Sequence, residues 1–376
     1  MLAATQHCTL LDDVFREDPT TLSLESHIAS LTGKQAALFV ISGTLGNQLS
    51  VRTHLGGPPH SILADARSHV IAWFVAPLFW PYILFLHERE SIIADTAVRE
   101  AGGIASISGG MPIPVTPANG HHITLSDVQK HAVLEDDNHF APTRLISLEN
   151  TLGGTILPLS DCRDISTWAR KQDPPIRLHL DGARLWEAVA AGAGSLEEYC
   201  KCFDSVTMCF SKGLGAPIGS IIVSSTPFIN RARHLRKMMG GGLRQAGVVT
   251  APARVAVDET FLGGKLNATH TLAREVARMW ESRGGKLQRG MDVETNMVWL
   301  DLEAAGVSTE RFVEMGVEEG VRLLGGRVVV HYQICGEAVG KLGRVMDRVL
   351  MGKGETREAS NGVKEEAREV REVVVE

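Results

Sequence analysis

Cysteine is sparse and scattered: six residues show neither metal-ligand nor disulfide spacing. The closest pair, Cys200 and Cys202, has one residue between them, which is not a zinc-knuckle pattern. Unpaired thiols fit a reducing compartment, and the expected location is cytoplasmic. The opening residues, MLAATQHC, lack the cationic region and apolar run of a secretory signal. A large charge of one sign is missing too. The formal net charge is −6, and no basic stripe invites nucleic acid. The apolar, aromatic stretch from Phe74 to Leu86 is too short to span a bilayer, so no membrane partner is expected. No internal repeat is present. What remains is a chain of 376 residues, too long for one small core and suited to a large domain plus a smaller one.

The stretch from Ile176 to Val223 organises the rest. Ile176, Leu178 and Leu180 alternate as in a short buried strand that ends on Asp181, Gly182 and Arg184. A second strand, Val206 to Phe210, runs into Ser211, Lys212 and a glycine-rich turn. Two strands thus deliver an acid, an arginine and a lysine to strand ends, where open α/β sheets bind ligands. An Asp after a strand is commonly a helix cap, and a lone Lys a solvated cation. Here Lys212 lies between an apolar strand and Gly213, Gly215 and Gly219, with no other charge close by. A desolvated lysine loses part of its preference for the charged form, which suits a nucleophilic amine. Pyridoxal 5′-phosphate needs such an amine for its aldehyde and a carboxylate for its ring nitrogen, roles that Lys212 and Asp181 can fill, although many α/β proteins carry an Asp and a Lys about this far apart.

The segments HLDGARLWEA, CFSKGLGAPIGS and RKMMGGGLRQAG resemble those of the low-specificity L-threonine aldolases, as do DDVFREDPTT, FVISGTLGNQ and RLISLENTLGG upstream. The resemblance runs from about Leu11 to Leu350. It implies the aspartate aminotransferase fold: an α/β large domain with a mostly parallel sheet flanked by helices, over residues 1–257, and a small C-terminal α/β domain over 258–350. It also implies pyridoxal 5′-phosphate as cofactor, a small amino-acid substrate, and a homodimer or homotetramer with shared active sites.

Taken in order, Asp18-Pro19-Thr20-Thr21 starts a helix with Leu22, Leu24 and Ile28 on its buried side. Ala36 to Ile41 is a strand followed by Ser42-Gly43-Thr44 and a helix, a phosphate cradle at a positive helix end. By resemblance Gly43 and Thr44 hold the cofactor phosphate, Ser211 belongs to the cofactor site, and His69 lies flat against the ring. His139, ahead of the strand Arg144 to Leu148, is assigned by resemblance to the substrate hydroxyl. Glu149-Asn150-Thr151 is read as shaping the pocket floor. The helix from Phe228 to Met239 carries Arg231, Arg233, Arg236 and Lys237, read mostly as a solvated basic face. Arg244, after Gly240-Gly241-Gly242, is by resemblance a phosphate ligand for the neighbouring subunit, and Lys237 a weaker candidate. Beyond Asp258, helical stretches alternate with short strands. Arg327, at the start of one, is with Arg184 the expected grip on the substrate carboxylate.

Three segments depart from the family. Family members begin earlier, with an Arg-Ser-Asp-Thr motif whose serine helps hold the substrate carboxylate, and a late start of the gene model is the favoured explanation. Residues 74–99 interrupt what the family runs directly from the histidine into Glu-Ala-Gly-Gly, here Glu100 to Gly103. A membrane-touching or partner-binding insertion, a substrate-gating loop and a retained intron compete, the last preferred. From about Met351 the charged tail reads as frayed or disordered. The implied reaction is retro-aldol cleavage of L-threonine or L-allo-threonine to glycine and acetaldehyde. Another pyridoxal-phosphate reaction, or an inactive remnant, is the alternative.

Overall fold

The computed structural model describes residues 1–71, 102–135, 137–288 and 291–351. The interrupting segment 74–99 and the tail beyond Met351 lie outside the described residues. The chain divides into two compact units, one of residues 1–152 and 156–264, the other of Gly153–Thr155 with the residues from Lys265 on.

The first unit alternates strands and helices: α1 (Leu2–Gln6), α2 (Pro19–Thr32), β1 (Ala36–Val40), α3 (Gly43–His54), β2 (Ser61–Asp65), α4 (Gly103–Ser108), β3 (Met111–Val115), α5 (Leu125–His131), β4 (Thr143–Glu149), α6 (Leu159–Arg170), β5 (Arg177–Asp181), α7 (Leu185–Ala190), α8 (Leu196–Cys202), β6 (Ser205–Cys209), β7 (Ser220–Ser224), α9 (Thr226–Met238) and α10 (Gly247–Val255), with a short π-helical turn at Ala256–Phe261. The strands form one seven-stranded sheet in the order β1-β7-β6-β5-β4-β2-β3. β7 is antiparallel to both neighbours, so the other six strands all run the same way. Their carboxyl ends, at Val40, Asp65, Val115, Glu149, Asp181 and Cys209, therefore share one edge. This is an α/β fold with a mostly parallel central sheet.

Local chemistry sets the element boundaries. Asp18 caps α2 by accepting the Thr21 N–H at 3.1 Å, Pro19 occupies the first turn, and Gly33 ends the helix at φ 63°. β5 is buried along almost its whole length, and β6 and β7 throughout, as strands covered on both faces must be. The basic helix α9 is not a wholly solvated face. Ile229, Ala232 and Arg236, spaced by three and four residues, turn inward together. Arg236 is 2 % exposed, and its guanidinium donates to the Phe39 carbonyl at 2.7 Å and to Asp13 at 2.6 Å. Arg233 pairs with Glu25 at 2.8 Å. Arg231 and Lys237 stay exposed.

The second unit holds α11 (Lys265–Glu281), β8 (Met297–Trp299), α12 (Thr309–Glu318), β9 (Arg327–Val329) and α13 (Gly336–Leu350). β8 and β9 pair antiparallel. Its core gathers Trp280, Phe312, Val298, Val345 and Met346. Among the described residues of the whole chain, no helix is long and apolar enough to cross a membrane.

Candidate active site at the carboxyl edge of the sheet

β4 and β5 run in parallel register, so their last residues, Glu149 and Asp181, stand side by side. Asp181 is 3 % exposed. Its two carboxylate oxygens accept from Asn47 Nδ2 at 2.7 Å and from the Ala183 N–H at 3.0 Å. Asn47 reaches Asp181 because α3 starts at this edge and packs back over β5 and β6.

Glu149 is the opposite case. It accepts the backbone N–H of His69 at 2.7 Å. Burial first, and the neighbouring Asp181 charge second, push its carboxyl well above the usual range. Of two carboxyls at neighbouring strand ends, Asp181 is thus held by two donors, whereas burial favours the protonated form of Glu149. The hydrogen bond to Glu149 brings the segment after β2, and with it His69, to the edge.

The lysine arrives by a tight turn. After β6, Gly215 donates to the Lys212 carbonyl at 2.9 Å with φ 71°, and Ala216 donates to Phe210 at 3.0 Å. Lys212 is half-buried rather than enclosed. Its charge acts on both Glu149 and Cys209, which places it among these groups. Arg184, at the cap of α7, also acts on Cys209.

Gly43 and Thr44 open α3 directly after β1, with Ser42 capping by accepting the Leu45 N–H at 3.1 Å. A Cβ on Gly43 would lie 2.8 Å from Cys209 Sγ, and one on Gly46 2.6 Å from Thr207 Cγ2. Larger residues at either place would push the helix start away from the sheet end. The glycines keep a 12-residue helix with its first N–H groups at the edge where Lys212 and Asp181 lie.

Gly43, Thr44, His69, Asp181, Arg184, Ser211 and Lys212 therefore gather at one edge. His139 does not. It precedes the first residue of β4, at the amino edge, with its side chain 87 % exposed and Nδ1 2.7 Å from Asp137. A seven-residue strand, about 20 Å of extended chain, separates that end of β4 from Glu149. Within one chain His139 is thus not brought to the edge where the other candidates gather. Arg244 is exposed, pairs with Asp12 at 2.6 Å and lies 5.9 Å from the centre of the Phe15 ring. Arg327 belongs to the other unit, its guanidinium 5.9 Å from the Trp299 ring centre. Sequence reasoning missed Glu149 as a titratable partner, and Asn47 altogether. The one signal available for Glu149 was its place as the last residue of a buried strand.

The residues present fit pyridoxal 5′-phosphate. They supply an amine, a buried carboxylate already held by donors, and a helix start where side chains heavier than hydrogen are excluded. Comparison with known proteins agrees. A family model described as beta-eliminating lyase matches residues 1–303. The chain is 55 % identical over 351 residues to aldolase vrtJ of Penicillium aethiopicum, covering 93 % of this chain and 83 % of that one. It is 44 % identical over 336 residues to the low-specificity L-threonine aldolase of Candida albicans, covering 89 % and 81 %. Among solved structures, Leishmania major threonine aldolase superposes with a TM-score of 0.70 at 17 % identity, covering 93 % of this chain and 94 % of that one, a likeness of fold. With the sheet edge and its lysine, carboxylates and glycine-lined helix start, these matches show that the chain belongs to the beta-eliminating lyase family of pyridoxal-phosphate-dependent enzymes.

Proposed function

We propose that this chain cleaves the Cα–Cβ bond of L-threonine or L-allo-threonine, yielding glycine and acetaldehyde. The observation that carries the reading is the grouping of Lys212, Asp181 and the Glu149-bound His69 beside the Gly43 helix start. The low-specificity L-threonine aldolases at 40–44 % identity support the choice of substrate.

Bound pyridoxal 5′-phosphate would supply an electron sink for the pair released from the broken carbon–carbon bond. Lys212 would hold its aldehyde carbon. Asp181 would face its ring nitrogen and keep that end cationic. Gly43, Thr44 and Ser211 would take its phosphate on backbone and hydroxyl donors. Arg244 of a neighbouring subunit would add to that grip in a homodimer or homotetramer. Arg184 and Arg327 would hold the substrate carboxylate, orienting the reacting bond. His69, fixed through its backbone on Glu149, is the imidazole this edge offers to the β-hydroxyl proton, directly or through water. A cytoplasmic location fits the six free cysteines.

A second reading is racemisation. Alanine racemase TOXG of Cochliobolus carbonum is 41 % identical over 356 residues, so the same scaffold is paired with another reaction. Incubating the purified protein with pyridoxal 5′-phosphate and either L-allo-threonine or L-alanine separates them. Glycine and acetaldehyde in equal amounts support cleavage. D-alanine without glycine overturns it.

A further inference from the structure

A line of buried polar side chains continues from Asp181 away from the cofactor edge. Asn47 donates through Nδ2 to Asp181 at 2.7 Å, and its Oδ1 lies 3.1 Å from His179 Nε2. His179 Nδ1 lies 2.8 Å from Ser205 Oγ, and Ser205 Oγ lies 2.7 Å from His54 Nε2. Asn47 is 1 % exposed, and His179 and Ser205 are fully buried.

The periodicities of helix and strand build this line. His179 and Asp181 are two residues apart on β5 and face one side of the sheet. Ser205 is the register partner of His179 on β6. Asn47 and His54 are seven residues, two turns, apart on α3 and share its inner face. The helix starts at the carboxyl edge and ends at the amino edge, so the four side chains join one edge to the other.

The proton positions follow from what each atom can do. An Asn47 carbonyl turned toward Asp181 would set two acceptors against each other, so the amide points its N–H₂ there. Its oxygen must then accept, which puts the His179 proton on Nε2. Bare Nδ1 accepts from the Ser205 hydroxyl, and the freed Ser205 oxygen accepts from His54 Nε2–H. All four hydrogen bonds donate toward Asp181. Burial holds both imidazoles neutral, their pKa values lowered to about 3.

We propose that Asn47, His179, Ser205 and His54 form a positioning relay that fixes Asp181 as an ionised acceptor and thereby sets the charge on the cofactor's ring nitrogen. None of the four is placed in contact with substrate. The proposal rests on Asp181 being the ring-nitrogen partner. Without the relay, Asp181 would be one of two adjacent buried carboxyls, free to share its charge with Glu149. The other charges acting here are Glu149 from β4, His69 after β2, which acts on Glu149, Lys212 from the turn after β6, Arg184 at the cap of α7, and Arg177 at the start of β5, which acts on His54.

The test uses the holoenzyme loaded with pyridoxal 5′-phosphate labelled with ¹⁵N in the ring, whose shift reports ring-nitrogen protonation across a pH series. His179→Leu removes both bonds. His179→Gln keeps a donor near the Nε2 position. Ser205→Ala removes one hydroxyl. Loss of a donor chain ending on a charge should lower the ring-nitrogen titration midpoint in H179L by about one pH unit or more, with S205A shifted less and H179Q close to wild type. Cofactor affinity should fall about tenfold in H179L, following the weakened partner. Wild-type midpoints in both H179L and S205A would overturn the relay. If H179L does not fold, S205A decides alone: a lowered midpoint supports the relay and an unchanged one overturns it. Asp181→Asn tests the underlying reading separately, because a ring nitrogen still protonated in D181N would remove Asp181 from that role whatever the relay variants show.

Discussion

Glu149 and Asp181 end neighbouring parallel strands in register, and burial together with the Asp181 charge raises the Glu149 carboxyl above its usual range. The folded state holds the Glu149 proton up to about pH 8, whereas the unfolded chain releases it near 4.5. The stabilising contribution is thus complete below about 4.5 and is lost as pH rises through 8. Glu149→Gln keeps the shape and the acceptor for the His69 N–H without the titration. Urea unfolding of the variant should match wild type near pH 4.5 and lose less stability between pH 4.5 and 8. An equally steep decline in both would place the titration elsewhere.

The histidines of the buried line have the opposite sign. His54 and His179 titrate near 3 when folded and 6.5 when unfolded. Between those values the unfolded chain binds more protons, so their effect is a loss of stability as pH falls from 6.5 toward 3. His179→Gln should flatten the acid limb of the stability profile. A profile parallel to wild type would contradict the buried, neutral state of His179.

Gly43 tests the contact between the helix start and the end of β6. An added methyl meets Cys209 Sγ at 2.8 Å, closer than the two atoms tolerate. Gly43→Ala should cost about 1–3 kcal/mol of stability, the usual penalty of overpacking, and weaken cofactor binding. Adding Cys209→Ala should restore part of both. Additive losses in the double variant would mean that the two positions do not touch.

Arg236 is paired with Asp13 where both are 2 % exposed or less. Removing Arg236 leaves the buried Asp13 with only the longer Arg233 pair at 3.7 Å. Arg236→Met should lower unfolding stability by about 3–5 kcal/mol, while Arg231→Met on the exposed side of α9 should change it by less than about 0.5 kcal/mol. Similar effects from both would return α9 to a solvated basic face.

Much of this was legible in the sequence because the signals are local. Asp18 capping α2, the alternation into Asp181, and the strand–glycine–helix passage at Gly43 each depend on residues a few positions apart. What was not legible depends on distant partners. Asn47 meets Asp181 across 134 residues of chain, and Arg236 meets Asp13 across 223. His139 shows the same limit in reverse. It is close in sequence to Glu149, but β4 separates the two along its whole length.

The most direct measurement is the product analysis of the purified protein with pyridoxal 5′-phosphate and L-allo-threonine, with Lys212→Ala alongside. The expected result is glycine and acetaldehyde in equal amounts from the wild type and a loss of at least about 100-fold in K212A, since removing the amine that holds the cofactor removes its covalent catalysis. Glycine formation unchanged in K212A, or D-alanine formed from L-alanine with no glycine from L-allo-threonine, would contradict it.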